Sequence, residues 1–264
     1  MDGESDDERP ARRSVARRLR AGGARVLDWL LPPLCLACRN PVGDHGALCP
    51  GCWRRVGYIE APVCARLGTP MPFDLGPGAL SPQAIANPPA FDRARAAFRF
   101  DDVGRALVHG LKYGDRLEIA PALAGWMARA GRDILDDADA LIPVPLHWSR
   151  LLRRRFNQAA ELSRHLSVRT GIANEALVLR RRRRTLHQVG LTRAQRLDNV
   201  AGAFHVPEER KGWVSGRRLV LVDDVLTTGA TLEACARVLR RAGAARIDVL
   251  TAARVVDGTF AVHI

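Results

Sequence analysis

One stretch constrains this chain more than any other: Leu219-Val220-Leu221-Val222-Asp223-Asp224-Val225-Leu226-Thr227-Thr228-Gly229-Ala230-Thr231. Four consecutive branched apolar residues read as a strand buried on both faces, which belongs to a parallel sheet. The run stops at two adjacent carboxylates. Small hydroxyl residues and one glycine then open a helix over about 230–242. Amides at a helix start, with threonine hydroxyls beside them, form a cup for a phosphate dianion. Gly229 permits close backbone approach. Two ionised carboxylates accept hydrogen bonds from a vicinal diol. A phosphate and a diol together describe a ribose 5-phosphate, held at the carboxyl end of a strand where α/β sheets take their ligands. The acid pair alone is weak evidence, because any strand–turn–helix can end so. The whole string is far more specific.

The rest of the chain supplies the sheet. Residues 94–100 read as a first strand. Helical periodicity runs through 107–111 and 119–134. A buried strand covers 140–144, a helix 151–166, and short strands 176–179 and 203–206. After the strand at 219–222 and its helix, 247–252 closes the sheet. Strands alternating with helices predict an α/β fold with a mostly parallel sheet covered on both faces. This domain is expected over 91–264. Residues 69–90, with six prolines, read as a linker rather than an element.

Five of the six cysteines lie between Cys35 and Cys64. Cys35-Leu-Ala-Cys38 and Cys49-Pro-Gly-Cys52 are two Cys-x-x-Cys turns, and four thiolates suit a tetrahedral Zn²⁺. A short module has little core of its own, so the metal supplies much of its folding energy. Residues 32–68 are therefore expected to form a small N-terminal zinc ribbon. Disulfides and redox-active pairs are the competing readings. Four sulfurs fill the coordination shell, which makes the zinc structural. His45, between the pairs, is either a substitute ligand or a loop histidine. Cys64 and Cys235 read as packed thiols.

Lys and Arg total 41 against 28 Asp and Glu, a net charge of +13, and Lys112 and Lys211 are the only lysines. The excess favours anionic partners, phosphates or nucleic acid. No apolar run approaches the ~20 residues of a membrane span, so no membrane insertion is expected. The acidic start MDGESDDERP does not resemble a signal peptide. The expected location is cytoplasmic, with reduced thiols. Residues 1–31 read as a tail followed by a short amphipathic helix from Val15 to Leu31, which lies on a membrane surface or docks on the next module.

The Asp223–Thr231 string resembles the phosphoribosyl pyrophosphate (PRPP) signature of type I phosphoribosyltransferases. The remaining marks resemble the ComF competence-protein family, which joins a zinc ribbon to a phosphoribosyltransferase domain. They are Leu111-Lys112-Tyr113-Gly114-Asp115, Pro143-Val144-Pro145-Leu146-His147, Arg153 to Gln158, and the run Thr185, Gln188, Leu191, Arg196, Asn199 and Phe204. The resemblance covers roughly 35–254. It implies that Asp223 and Asp224 bind the ribose hydroxyls and that Thr227, Thr228, Gly229, Ala230 and Thr231 form the 5-phosphate loop. It places pyrophosphate or lid contacts among Lys112, Val144, Arg155, Asn157, Gln158 and Arg196, with Mg²⁺ accompanying PRPP. The family often carries a further Cys-x-x-Cys after the first ribbon. Here that segment reads Cys64-Ala-Arg-Leu67, which puts a second zinc in doubt.

Two functions follow. The first is an enzyme transferring phosphoribose from PRPP to an unidentified acceptor. The second is a non-catalytic, PRPP-responsive accessory of DNA uptake that binds single-stranded DNA and partner proteins of the competence machinery. Arg180–Arg184, leading into the polar stretch 185–199, suit either a lid over PRPP or a nucleic-acid backbone. Aromatics are only 5%, so stacking platforms for single strands are few. His187 is a lone loop histidine, and no residue reads as a convincing general base. The acceptor and the oligomeric state are not encoded in any motif.

Overall fold

The computed structural model describes residues 32–113, 116–146, 156–182 and 202–256. The expected tail helix, Arg155, His187 and Arg196 therefore lie outside the described residues. Five strands form one parallel sheet: β1 (Arg93–Arg99), β2 (Ala140–Pro143), β3 (Ala173–Asn174), β6 (Arg218–Leu226) and β7 (Arg246–Arg254), in the order β1-β7-β6-β2-β3. The helices around it are α3 (Asp102–Tyr113), α4 (Ala120–Ala130), α5 (Arg132–Leu135), α6 (Gln158–Thr170), α7 (Glu208–Val214) and α8 (Ala230–Arg241). Two short helices, α1 (Pro50–Arg54) and α2 (Pro82–Ala86), belong to the N-terminal segment. A small antiparallel pair, β4 (Arg180–Arg181) with β5 (Phe204–His205), stands apart from the sheet.

The period of two along β6 decides the layering. Val220 and Val222 point into one core with Leu107, Leu111, Leu123, Met127 and Leu166. Leu219 and Leu221 point into the other, with Leu232, Cys235 and Leu239. Both faces of the strand are thus covered, as its unbroken apolar run requires. Cys35, Leu36, Cys52 and Val56 join the first core, so the cysteine module packs on the same layer as α3 and α4.

The amino ends of the strands are closed by ion pairs. Asp248, buried, receives Arg93 Nη2 at 2.6 Å and Arg246 Nε at 3.1 Å, while Arg218 Nη2 reaches Asp139 Oδ1 at 3.0 Å. Part of the arginine excess is thereby committed to the fold at the end of the sheet away from the Asp223–Asp224 pair.

Three expectations change. Residues 176–179 are a turn, not a strand; the chain pairs with β2 just before it and with β5 just after it. Val178 and Leu179 are buried by packing against the second core, which imitates a strand's apolar signature. Strand β7 does not close the sheet but lies between β1 and β6. The proline-rich stretch contains α2, whose start is capped by Ser81.

Candidate functional site

Strand β6 does not end at the acid pair; it runs through Asp223 and Asp224 to Leu226. The two carboxylates therefore sit on opposite pleats of a central strand, near its carboxyl end. Asp224 is buried, and its Oδ1 receives Lys112 Nζ at 2.9 Å, with side-chain exposures of 11% and 20%. Lys112 is the penultimate residue of α3, so that helix delivers its cation to the pair. The basic residue of the Lys-Tyr motif is held at the site rather than on open surface.

Asp223 Oδ1 accepts a hydrogen bond from the Asp224 amide at 2.8 Å. Burial, and then the Asp224 charge, push its carboxyl up to about 7, against the pull of Lys112 and Arg181. Two acids this close in a poorly solvated place resist simultaneous ionisation. A ligand that brings a diol or a cation relieves the conflict. Arg181 comes from β4, with its guanidinium 5.1 Å from the Phe204 ring centroid, so part of the arginine run is fixed near the acids.

After Leu226 the chain turns through exposed Thr227 and Thr228. Gly229 adopts φ +82° and forms the cap of α8, with no side-chain hydrogen bond to the helix start. Its carbonyl accepts the Glu233 amide at 2.8 Å. A β-carbon there would be strained by the backbone angle alone, since its nearest neighbour would be 3.6 Å away. The first amides of a twelve-residue helix thus lie beside two exposed hydroxyls, at a cap residue with no side chain to occupy them. Ala230 is buried and Thr231 half-buried.

Val144, buried, extends β2 by donating its amide to Val222 O at 2.9 Å. Asn157 secures the backbone on both sides of it. Its Nδ2 donates to Val144 O at 3.0 Å, and its Oδ1 accepts the Ala159 amide at 3.1 Å, capping α6. Gln158 is buried in the first turn. Sequence reasoning passed over Thr251. It is the register partner of Asp223 on β7, fully buried, with a hydroxyl that has no hydrogen-bond partner among the described residues. A hydroxyl inside the apolar run 247–252 was its signal.

The second centre is the cysteine cluster. The Sγ atoms of Cys35, Cys38, Cys49 and Cys52 lie within 4.8 Å of one another, and Cys38 Sγ is 3.6 Å from Cys49 Sγ. Tetrahedral Zn–S bonds of ~2.3 Å require sulfur–sulfur edges of ~3.8 Å. Backbone amides also point at the sulfurs, Cys49 N to Cys35 Sγ at 3.3 Å and Cys52 N to Cys49 Sγ at 3.4 Å. Burial and the neighbouring thiols push Cys52 up to about 12. Four such thiols cannot ionise together without a cation between them, so the donor set fits a structural Zn²⁺. His45 stands in the exposed loop outside the cluster. Cys235 is buried in the second core, its thiol raised by burial and by the Asp223 charge.

Among the described residues no helix is long and apolar enough to cross a membrane. Comparison with known proteins matches a double zinc ribbon domain over residues 26–84 and a phosphoribosyl transferase domain over residues 153–262. The chain is 33% identical over 226 residues to the DNA utilization protein YhgH of Salmonella typhimurium, spanning 83% of this chain and 96% of that protein. It is 30% identical over 227 residues to competence protein F of Haemophilus influenzae, with the same coverage. A 41-residue segment is 61% identical to adenine phosphoribosyltransferase of Mycobacterium avium, covering 16% of this chain and 21% of that enzyme.

Proposed function

We propose that this chain, which belongs to the family of competence protein F and DNA utilization protein YhgH, binds PRPP and transfers its phosphoribosyl group to an acceptor. The observation that carries the reading is the pairing, on one strand end, of Asp223–Asp224 with the glycine-capped start of α8. The carboxylates accept hydrogen bonds from the ribose hydroxyls. Thr227, Thr228, Thr231 and the amides of residues 229–231 hold the 5-phosphate. Lys112 reduces repulsion between the acids and the polyanionic ligand. Mg²⁺ bound with PRPP would neutralise the pyrophosphate, and ligand oxygens and water suffice to hold it. In the transfer, the acceptor's lone pair forms a bond to ribose C1′. The C1′–oxygen bond breaks with its electrons leaving on pyrophosphate, and the acceptor's proton passes to solvent. Four cysteines grouped to hold a metal rather than to pair as disulfides support a cytoplasmic setting.

A second reading keeps PRPP as a signal and makes the chain a nucleic-acid-binding accessory of DNA uptake. It is favoured by the names of the relatives and by Trp53, 51% exposed on α1 beside Arg54 and Arg55. Calorimetric titration of PRPP, with and without Mg²⁺, tests the shared premise. Saturable, Mg²⁺-dependent binding is expected, and D223N/D224N is expected to abolish it with zinc content unchanged. A double variant that binds like the wild type would overturn the site. Pyrophosphate release on adding amines, bases or single-stranded DNA then separates the enzyme from the accessory.

A further inference from the structure

Residues 62–86 repeat the principal backbone bonds of the cysteine module. In the first copy the Cys35 amide donates to Asn40 O at 2.8 Å, Arg39 N to Cys35 O at 3.1 Å, Leu36 N to Ala47 O at 3.0 Å and Val42 N to Pro33 O at 2.9 Å. In the second, Cys64 N donates to Thr69 O at 2.8 Å, Gly68 N to Cys64 O at 2.8 Å, Ala65 N to Ala79 O at 2.8 Å and Met71 N to Pro62 O at 2.9 Å. The antiparallel bridge Leu34–Pro41 has its counterpart in Val63–Pro70. Arg39 and Gly68 share a left-handed backbone, φ 69° and 62°.

The helices correspond as well. Cys49 caps α1, accepting the Cys52 amide while its own amide donates to Cys35 Sγ. Ser81 caps α2, its Oγ accepting the Ala84 amide at 3.3 Å, while its amide donates to Cys64 Sγ at 3.2 Å. Proline follows the cap in both. The four ligand positions of the first copy are thus Cys64, Leu67, Ser81 and Ala84 in the second. Leu67 and Ala84 carry no donor atom, and Ala84 is fully buried. One thiol and one hydroxyl do not make a tetrahedral zinc site.

We propose that the second ribbon of this chain is metal-free and serves as a clamp that fastens the zinc-bearing first ribbon to the edge of the sheet. The sheet supplies the fixing that a metal supplies elsewhere. Ala94 N donates to Arg66 O at 2.7 Å and Arg95 Nη1 to Ala65 O at 3.0 Å, and Arg254 Nη1 donates to Leu67 O. A β-carbon on Gly68 would collide with Ala94 O, so the second knuckle rests directly on β1. Between the copies, Ile59 N donates to Ala97 O and Arg99 N to Gly57 O, which ties the junction to the same strand. The clamp is independent of the PRPP reading.

Metal analysis of the purified full-length protein tests it. One zinc per chain is expected in the wild type and in C64S, and two in L67C/S81C/A84C, because the repeated backbone already aims those positions at one point. After chelation, amide exchange should accelerate by orders of magnitude at Leu36 and Arg39 while protection persists at Ala65, Gly68 and Ala94. Two zincs in the wild type would overturn the proposal. So would a folded triple variant holding one, or loss of protection at Ala65 and Gly68 together with Leu36. If the triple variant does not fold, the wild-type count and the exchange pattern decide.

Discussion

Asp223 is expected to weaken the fold that it serves, and replacing it with asparagine should show by how much. In the folded chain its carboxyl is held up at about 7 by burial and by Asp224, whereas its ordinary value is 3.8. The folded state therefore binds more protons than the unfolded state between these limits. The stability Asp223 contributes is complete below pH ~4, falls as pH rises, and reaches its minimum above pH ~7. At ~1.4 kcal/mol per pH unit, the interval from 3.8 to about 7 sets a ceiling of ~4 kcal/mol on the penalty at pH 8, with roughly a third of it present at pH 5. Asparagine keeps the Oδ1 that accepts the Asp224 amide and removes the charge. D223N should thus melt above the wild type at pH 8, by ~4–8 °C if half the ceiling is realised, and by clearly less at pH 5. Differential scanning calorimetry without ligand, at the two pH values, measures this. A variant that melts at or below the wild type at pH 8, or with the same offset at both pH values, would refute the reasoning. The gain should come with loss of PRPP binding, as expected when a site stores unfavourable charge for its ligand.

PRPP affinity in the wild type should rise about tenfold from pH 6 to pH 8 as Asp223 ionises through about 7; calorimetric titration across pH measures it, and an affinity unchanged over that range would overturn the link. K112M removes the cation 2.9 Å from Asp224 and should weaken PRPP binding at least tenfold at pH 7; an unchanged affinity would return Lys112 to a purely structural role. C35S/C49S should release the zinc and expose the amides of residues 32–56 to exchange, and intact metal content would overturn the ribbon assignment.

The sequence showed most plainly what local chemistry decides. The four cysteines announce their cluster because two turns at that spacing have few other uses. Leu219–Val222 announces a central strand because both its faces must be covered. Residues 176–179 misled, since Val178 and Leu179 are buried without belonging to a strand, and burial alone does not distinguish a packed turn from a ladder. The order of the sheet was not legible either: β7 is last in the chain but central in space, and only its pairing with β1 and β6 fixes that. The second ribbon was legible only at its first turn, where Cys64-Ala-Arg-Leu67 stands in place of a cysteine pair; its second turn, Ser81 to Ala84, carries no thiol to advertise it. What survived, a capping Ser81 before Pro82 and the glycine at 68, looks like ordinary turn chemistry in a proline-rich stretch.

Helix α3 joins the two halves of the molecule. At its start Asp102 accepts Arg55 Nη2 at 2.6 Å from the first ribbon; at its end Lys112 holds Asp224. Twelve residues of helix span ~18 Å, so one rigid element reaches from the zinc module to the acid pair. The Arg55–Asp102 pair is more than half exposed on both sides, so solvent and salt screen it and it contributes little. The join is apolar instead. Val103, Leu107, Val108 and Leu111 face the same core as Leu36, Cys52 and Val56, and Trp126 packs edge-on against Trp53, Tyr58 and Phe98. A ribbon seated by packing rather than by charge holds its place at high salt. The ribbon and the helix that carries Lys112 thus share one apolar core, which salt does not screen.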